Sequence, residues 1–232
     1  MEKLNKSILK RTVICGNRTT RLQFRKHFER EIDEFTELLF KAYKLYDGLK
    51  SDQDNRESLA KLYIFTSIQN LVSAFNIFIS GYLIPSGNLM RHFHESVAWA
   101  ILFSTNKLDF YEKFTKDNSR ISYHKGPEYV QRHISKLNIQ KNGWQIFMEI
   151  MKFYNNLSHS SVLAVASNFI FCENSAIALG GHFDSKKQPV YKKEITRMLS
   201  AANILRNVII GIKEQIKKEQ AQPPEFPDQA GE

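Results

Sequence analysis

Leu62–Met90, LYIFTSIQNLVSAFNIFISGYLIPSGNLM, is the stretch on which the fold turns. It runs for 29 residues without a charged side chain, and 15 of the 23 residues from Leu62 to Ile84 are apolar. That is long enough to cross a bilayer as a helix. Thr66, Gln69, Asn70, Ser73, Asn76 and Ser80 interrupt it at helical spacing. At about 100° per residue these six side chains fall within an arc of about 120°, one stripe of one helix. Hydrocarbon would leave such a stripe without hydrogen-bond partners. The pattern therefore predicts a central helix packed among other helices, not a membrane span. It begins near Asn55 and is stopped by Ile84-Pro85-Ser86-Gly87.

Both flanks carry the same periodicity. Upstream, Phe24, Phe28, Ile32, Phe35, Leu39, Ala42, Tyr46 and Leu49 step by threes and fours, which is an amphipathic helix. Thr20-Arg-Leu-Gln23 reads as its capping box, with the Thr20 hydroxyl accepting from the Gln23 amide. Downstream, Ser86 or Asn88 is placed to cap a third helix, from residue 89 to about 105. Shorter helices follow over residues 108–116 and 128–137, and Asn142-Gly143 restarts the chain into WQIFMEIMKFYNNL. A last long helix, from about 189 to 218, rests on Tyr191, Ile195, Met198, Ala202, Leu205, Ile209, Ile212 and Ile216. Residues 168–183, NFIFCENSAIALGGHF, break the pattern and predict a small β-hairpin or irregular insertion.

The fold class that follows is all-α, a helical bundle with long helices. Composition agrees with it. The 232 residues include 17 Phe and 9 Tyr for a core but only 10 Gly and 6 Pro as breakers. Apolar residues at 42% and charged residues at 25% exclude a disordered chain and a disulfide-stapled miniprotein. Three regions are predicted: a basic N-terminal arm at 1–20, one helical domain at 21–219, and a disordered, proline-bearing tail at 220–232. Cys15 and Cys172 are too few and too far apart for a disulfide framework or a metal site, which suits a reducing cytoplasm. The N-terminus has no apolar stretch of signal-peptide length.

The charge is uneven. The chain carries a formal net charge of +9, and residues 1–30 hold nine basic side chains against Glu2 and Glu29. Arg11, Arg18, Arg21 and Arg25 are thus candidates for holding a polyanion such as nucleic acid, the alternative being a solvated basic face.

Signatures of cofactor chemistry are missing. There is no GxGxxG, no GxxxxGK[ST], no GxSxG and no HExxH. His92 and His94 lie about 200° apart on a helix and cannot share a metal. Neither a cofactor nor a metal is expected. Two constellations remain. Arg91 and Glu95 are four apart on the third helix and can pair, either to fix helix register or to hold Arg91 as a phosphate anchor. Tyr154-Asn155-Asn156-Leu157-Ser158-His159 crowds polar side chains at a helix end. Asn155 and His159 share a face there, and His159 can move a proton near neutral pH. The alternative is a capping network made by Ser158 and His159.

The run Tyr154-Asn155-x-x-x-His159 resembles a degenerate form of the Arg-(Asn/Asp/His)-x-x-x-His motif of HEPN domains. Leu89-x-Arg91-x-x-x-Glu95, Gly180-Gly181 and the long last helix extend the similarity over roughly residues 59–216. HEPN domains are all-helical, and many are metal-independent RNases of toxin and antiphage systems. The resemblance implies a bundle that often dimerises, with His159 in proton transfer and Asn155 beside it. Tyr154 stands where active members carry the arginine, so Arg91 or Arg120 would have to supply that charge. Three functions remain. The first is an RNA-directed HEPN-like protein, nuclease or binder and favouring RNA, with weak or absent cleavage by the isolated chain. The second is a non-catalytic helical interaction subunit of a larger protein or nucleoprotein complex, its long helices pairing with a partner protein and its basic arm docking there or on nucleic acid. The third is a membrane-associated protein using the 55–84 helix.

Overall fold

The computed structural model describes residues 17–49, 55–116, 123–137, 139–158, 165, 169–170, 176–177 and 180–221. Seven α-helices make up nearly all of it: α1 (Arg18–Asp47), α2 (Asn55–Ile79), α3 (Leu83–Phe103), α4 (Phe110–Lys116), α5 (Gly126–Arg132), α6 (Lys141–Ser158) and α7 (Gln188–Ala221). Single 3₁₀ turns at Tyr123–Lys125 and Ser185–Lys187 lead into α5 and α7. The class is all-α. Phe169 pairs with Ile177 and Ile170 with Ala176, but this two-residue ladder is no sheet layer. The residues 171–175 that would complete a hairpin lie outside the described residues.

The periodic apolar positions are the ones that build the core. Phe24, Phe28, Phe35 and Ala42 of α1 are buried, as are Tyr191, Ile195, Met198, Ala202, Leu205, Ile209 and Ile212 of α7. His27 meets Gln188 and Glu31 pairs with Lys192, so α1 and α7 run side by side in the same direction. α2 runs against both. Its Phe78 meets Phe24 edge-on at 5.1 Å, and its Phe75 stacks on Phe35 at 3.9 Å. Each such ring contributes about 1.5–3 kcal/mol by burial, with about 0.5–1.5 kcal/mol more for ring geometry.

The central helix is α3, not α2. α3 packs on α2, α4, α5, α6 and α7, and every residue from Ser96 to Phe103 is buried. Most of that polar stripe lies at the outer side of α2 instead: Gln69 and Asn76 are exposed and Thr66, Asn70 and Ser73 half-buried, while Ser80, just past the helix end, is buried. The hydroxyls of Thr66 and Ser80 donate to the carbonyls of Leu62 and Asn76 on α2, four residues back. α2 and α7 are, by length and composition, apolar enough to cross a membrane.

Three boundaries differ from the sequence expectation. The break between α2 and α3 falls at Gly81, with φ of 87°, not at Pro85. Pro85 sits inside the first turn of α3, where a missing N–H costs nothing. Gly81 must be glycine twice over, since a Cβ there would lie 2.3 Å from the His182 amide nitrogen. Ser86 does not cap α3; its hydroxyl is buried and donates to the Ala74 carbonyl, tying α3 to α2. Likewise Thr20 is no capping residue. α1 already begins at Arg18, and the Thr20 hydroxyl donates across the fold to the Gly181 carbonyl at 3.3 Å. In both cases a tertiary acceptor takes the hydroxyl from its local role. At the other end α7 extends to Ala221, and Gln220 bonds the Glu57 carboxylate, so the domain runs past residue 219. The arm to residue 16 and the tail from 222 lie outside the described residues.

Candidate functional site

α3 presents the first constellation. The Arg91 Nε donates to Glu95 Oε1 at 3.0 Å, and His92 Nδ1 lies 3.2 Å from Glu95 Oε2. Glu95 is only 12% exposed while His92 points outwards. One helix turn thus forms an ion pair at the edge of the core, as the spacing predicts. Replacing Arg91 or Glu95 by Ala should destabilise, and the double change should recover about 0.5–1 kcal/mol of the summed losses. Strict additivity in thermal unfolding would show that the pair carries no coupling.

His94, two residues on, faces the opposite way and is fully buried, edge-on to Phe93 and tilted against Phe147 and Tyr154. Its Nδ1 bonds the Met90 carbonyl at 2.6 Å. Its Nε2 has no partner among the described residues. Burial pushes its pKa down to about 4, so it is a neutral core histidine near pH 7.

The second constellation is partly a core network. Tyr154, read from the sequence as a binding residue, has no exposed surface. Its hydroxyl donates to Glu194 Oε1 on α7 at 2.7 Å. Glu194 Oε2 accepts from Arg197 Nη1 at 3.0 Å, and the Arg197 guanidinium lies 3.7 Å over the Phe153 ring. Burial, then the Glu194 charge, drives the Tyr154 pKa well above its ordinary 10. Burial also raises the Glu194 pKa against the pull of Tyr154 and Arg197. The result is a Tyr–Glu–Arg relay from the core to a half-buried guanidinium. It is suited to locking α6 on α7.

The relay rests on Glu194 and Arg197, which sequence reasoning passed over. Their signal was a charge at Glu194 between Tyr191 and Ile195, on the buried stripe of α7. The charged partner brought to Tyr154 is accordingly Arg197, through Glu194; the described bonds of Arg91 stay on α3. Asn155 is half-buried and Asn156 exposed in the last turn of α6. Ser158 ends that helix. His159 and Arg120, with Arg11, lie outside the described residues.

A third feature is visible only in three dimensions. α1 begins where the 180–187 segment feeds into α7, with Thr20 on Gly181 and Phe24 against Tyr191 at 4.8 Å. Arg18, Arg21, Arg25, Lys26 and Arg30 are exposed on α1, and Lys186, Lys192 and Lys193 are exposed beside them. Arg21 Nε is bonded to Ser80 Oγ at 2.8 Å, and Arg25 pairs with Glu29. Lys187 is buried, which lowers its pKa despite Asp184 nearby. Among the described residues no three His, Cys, Asp or Glu side chains gather as a metal site.

No family model, curated protein or solved structure matches this chain.

Proposed function

We propose that this chain is an RNA-directed, HEPN-like helical protein that holds nucleic acid by its phosphates at the basic end of the bundle. The observation that carries this reading is the meeting of two segments distant in sequence. Residues 18–31 and 180–193 bring together eight exposed basic side chains against Glu29 and Glu31, while Lys187 and Asp184 are buried. Arg25 and Lys192 engage the Glu29 and Glu31 carboxylates. The surplus is what a polyanion needs, because each neutralised phosphate releases counterions. A role in defence or toxin systems rests on the HEPN resemblance alone; the cytoplasmic setting rests on the two isolated cysteines, and the expectation of no cofactor on the missing motifs. Tyr154, at the position of the motif arginine, is uncharged and buried against Glu194, so it meets no scissile phosphate; this supports binding at the basic end over strong catalysis.

The test is affinity for a single-stranded RNA oligonucleotide as a function of salt. The triple change Arg18→Glu, Arg25→Glu, Lys193→Glu should weaken binding at least about tenfold and flatten the log–log salt slope by about 2. An unchanged slope would remove this face from the interface. Any cleavage should persist in EDTA and vanish in His159→Ala; activity that requires Mg²⁺ would contradict the HEPN-like site.

A second reading, a non-catalytic subunit that pairs with a partner protein or a second copy, draws on Phe40 and Tyr43 of α1 and Leu62 and Val72 of α2. All four are large apolar side chains left exposed. Retention of oligomeric state in the triple variant, with no RNA affinity in either protein, would favour it.

A further inference from the structure

Away from the basic end, a cavity of about 410 Å³ opens between the C-terminal half of α3, the start of α6 and the second half of α7. Its walls include Trp144 and Phe147 on one side and Val208 on the other. The volume is that of a small-molecule pocket. Gly143 and Gly211 stand in its lining, and a Cβ on either would meet nothing within 4 Å. Gly87 differs, because a Cβ there would strike Leu157 at 2.7 Å and helix packing explains it. No close approach explains Gly211, which as an interior helical glycine costs about 0.5–1 kcal/mol relative to Ala. It leaves space instead.

The wall also holds an unmatched donor. Trp144 is 3% exposed, and its Nε1–H, closed to solvent, has no acceptor among the described residues. Such a group is stabilised by whatever acceptor reaches it. Glu214 and Lys218 line the rim, and both are exposed. A cationic head would answer Glu214 but leave the indole N–H as it is; an anionic one answers both donors.

We propose that this cavity binds an amphipathic monocarboxylate, a medium-chain acyl acid. Its apolar body lies between Trp144, Phe147 and Val208. Its carboxylate accepts from Trp144 Nε1–H when the indole turns towards the cavity that its ring already lines, with Lys218 supplying positive charge at the rim.

The chain has two tryptophans, Trp99 and Trp144, so ¹⁵N-indole spectra of the full chain contain two side-chain N–H signals, assigned by Trp144→Phe. Decanoate should move the Trp144 signal and leave that of Trp99, buried elsewhere, in place. Gly211→Phe, which fills the cavity from α7, should weaken decanoate binding at least about tenfold with the fold retained. If that variant fails to fold, Gly143→Leu fills it from α6 with the same expectation. Decylamine should bind more weakly than decanoate. A Trp144 signal that stays fixed to the solubility limit of decanoate would overturn the proposal. So would equal movement of both signals, binding unchanged in a folded filled variant, or decylamine binding as well as decanoate.

Discussion

Replacing Glu219 by Ala should cost about 3–5 kcal/mol, a large share of what a domain of this size has to lose. Glu219 lies near the end of α7, and its side chain is only 5% exposed. It accepts from Thr105 Oγ1 at 2.7 Å, Gln215 Nε2 at 2.6 Å, the Asn106 amide at 3.0 Å and Arg56 Nη1 at 3.0 Å. One carboxylate therefore ties the last turns of α7 to the start of α2 and to the turn after α3. Alanine would take from the Arg56 guanidinium, itself 10% exposed, the nearer of its two carboxylates, leaving Glu57 at 3.9 Å. Because part of the cost is a buried guanidinium losing its nearer carboxylate, Arg56→Met in the same chain should restore part of the loss. Urea unfolding checks both. A loss under about 1 kcal/mol for Glu219→Ala would mean that the clasp is not closed in solution.

Acidification from pH 6.5 to 4 should remove about 3 kcal/mol of stability through His94. Burial holds its folded-state pKa at about 4, below the ordinary 6.5, with the Met90 carbonyl opposing only part of the shift. The unfolded chain therefore takes up its proton first. The contribution is fully present above pH 6.5, falls as pH drops through that window, and is lost below the folded value. The neighbouring ionisable side chain is Tyr154, whose hydroxyl stays protonated throughout. Glu194 behind it has a raised pKa, so its effect runs the other way, with stability lost as pH rises through its folded value. Burial pushes Glu219 up, but bonds from Thr105, Gln215 and Asn106 and the Arg56 charge outweigh it and hold it below 4.5. Its loss of stability therefore comes in more acid solution than that of His94. His94→Gln should flatten the profile between pH 6.5 and 4; a profile unchanged by that substitution would show that His94 does not bear the acid limb.

Much of the helical class could be read directly. Spacing alone located the buried faces of α1 and α7, because helical periodicity is a local property that burial then uses. It also separated His92 from His94, which the fold sends to solvent and to the core. Boundaries were less legible. Pro85 looked like a stop because a proline breaks a helix interior, yet it lies in a first turn. Gly81 makes the stop, and its positive φ belongs to a turn shaped by His182, a residue from the far end of the chain. Thr20 and Ser86 were read as caps because their hydroxyls fit that role locally. Each found a carbonyl on another segment instead.

The candidate sites divide along the same line. Arg91 and Glu95 were paired from sequence, since four residues on one helix set their geometry. Tyr154 was placed correctly at a helix end but not in the core, because its partner Glu194 lies 40 residues away. The same holds for the clasp at Glu219, for the basic face shared by α1 and the start of α7, and for the cavity at Gly211. Helical class, apolar faces and the i, i+4 pair were determined by the sequence itself, through interactions that reach no further than one turn. Which helix is central, which hydroxyls and carboxylates find partners, and where basic charge accumulates were decided only by tertiary structure. Those depend on side chains brought together by burial of the whole core, and no local spacing encodes that distance.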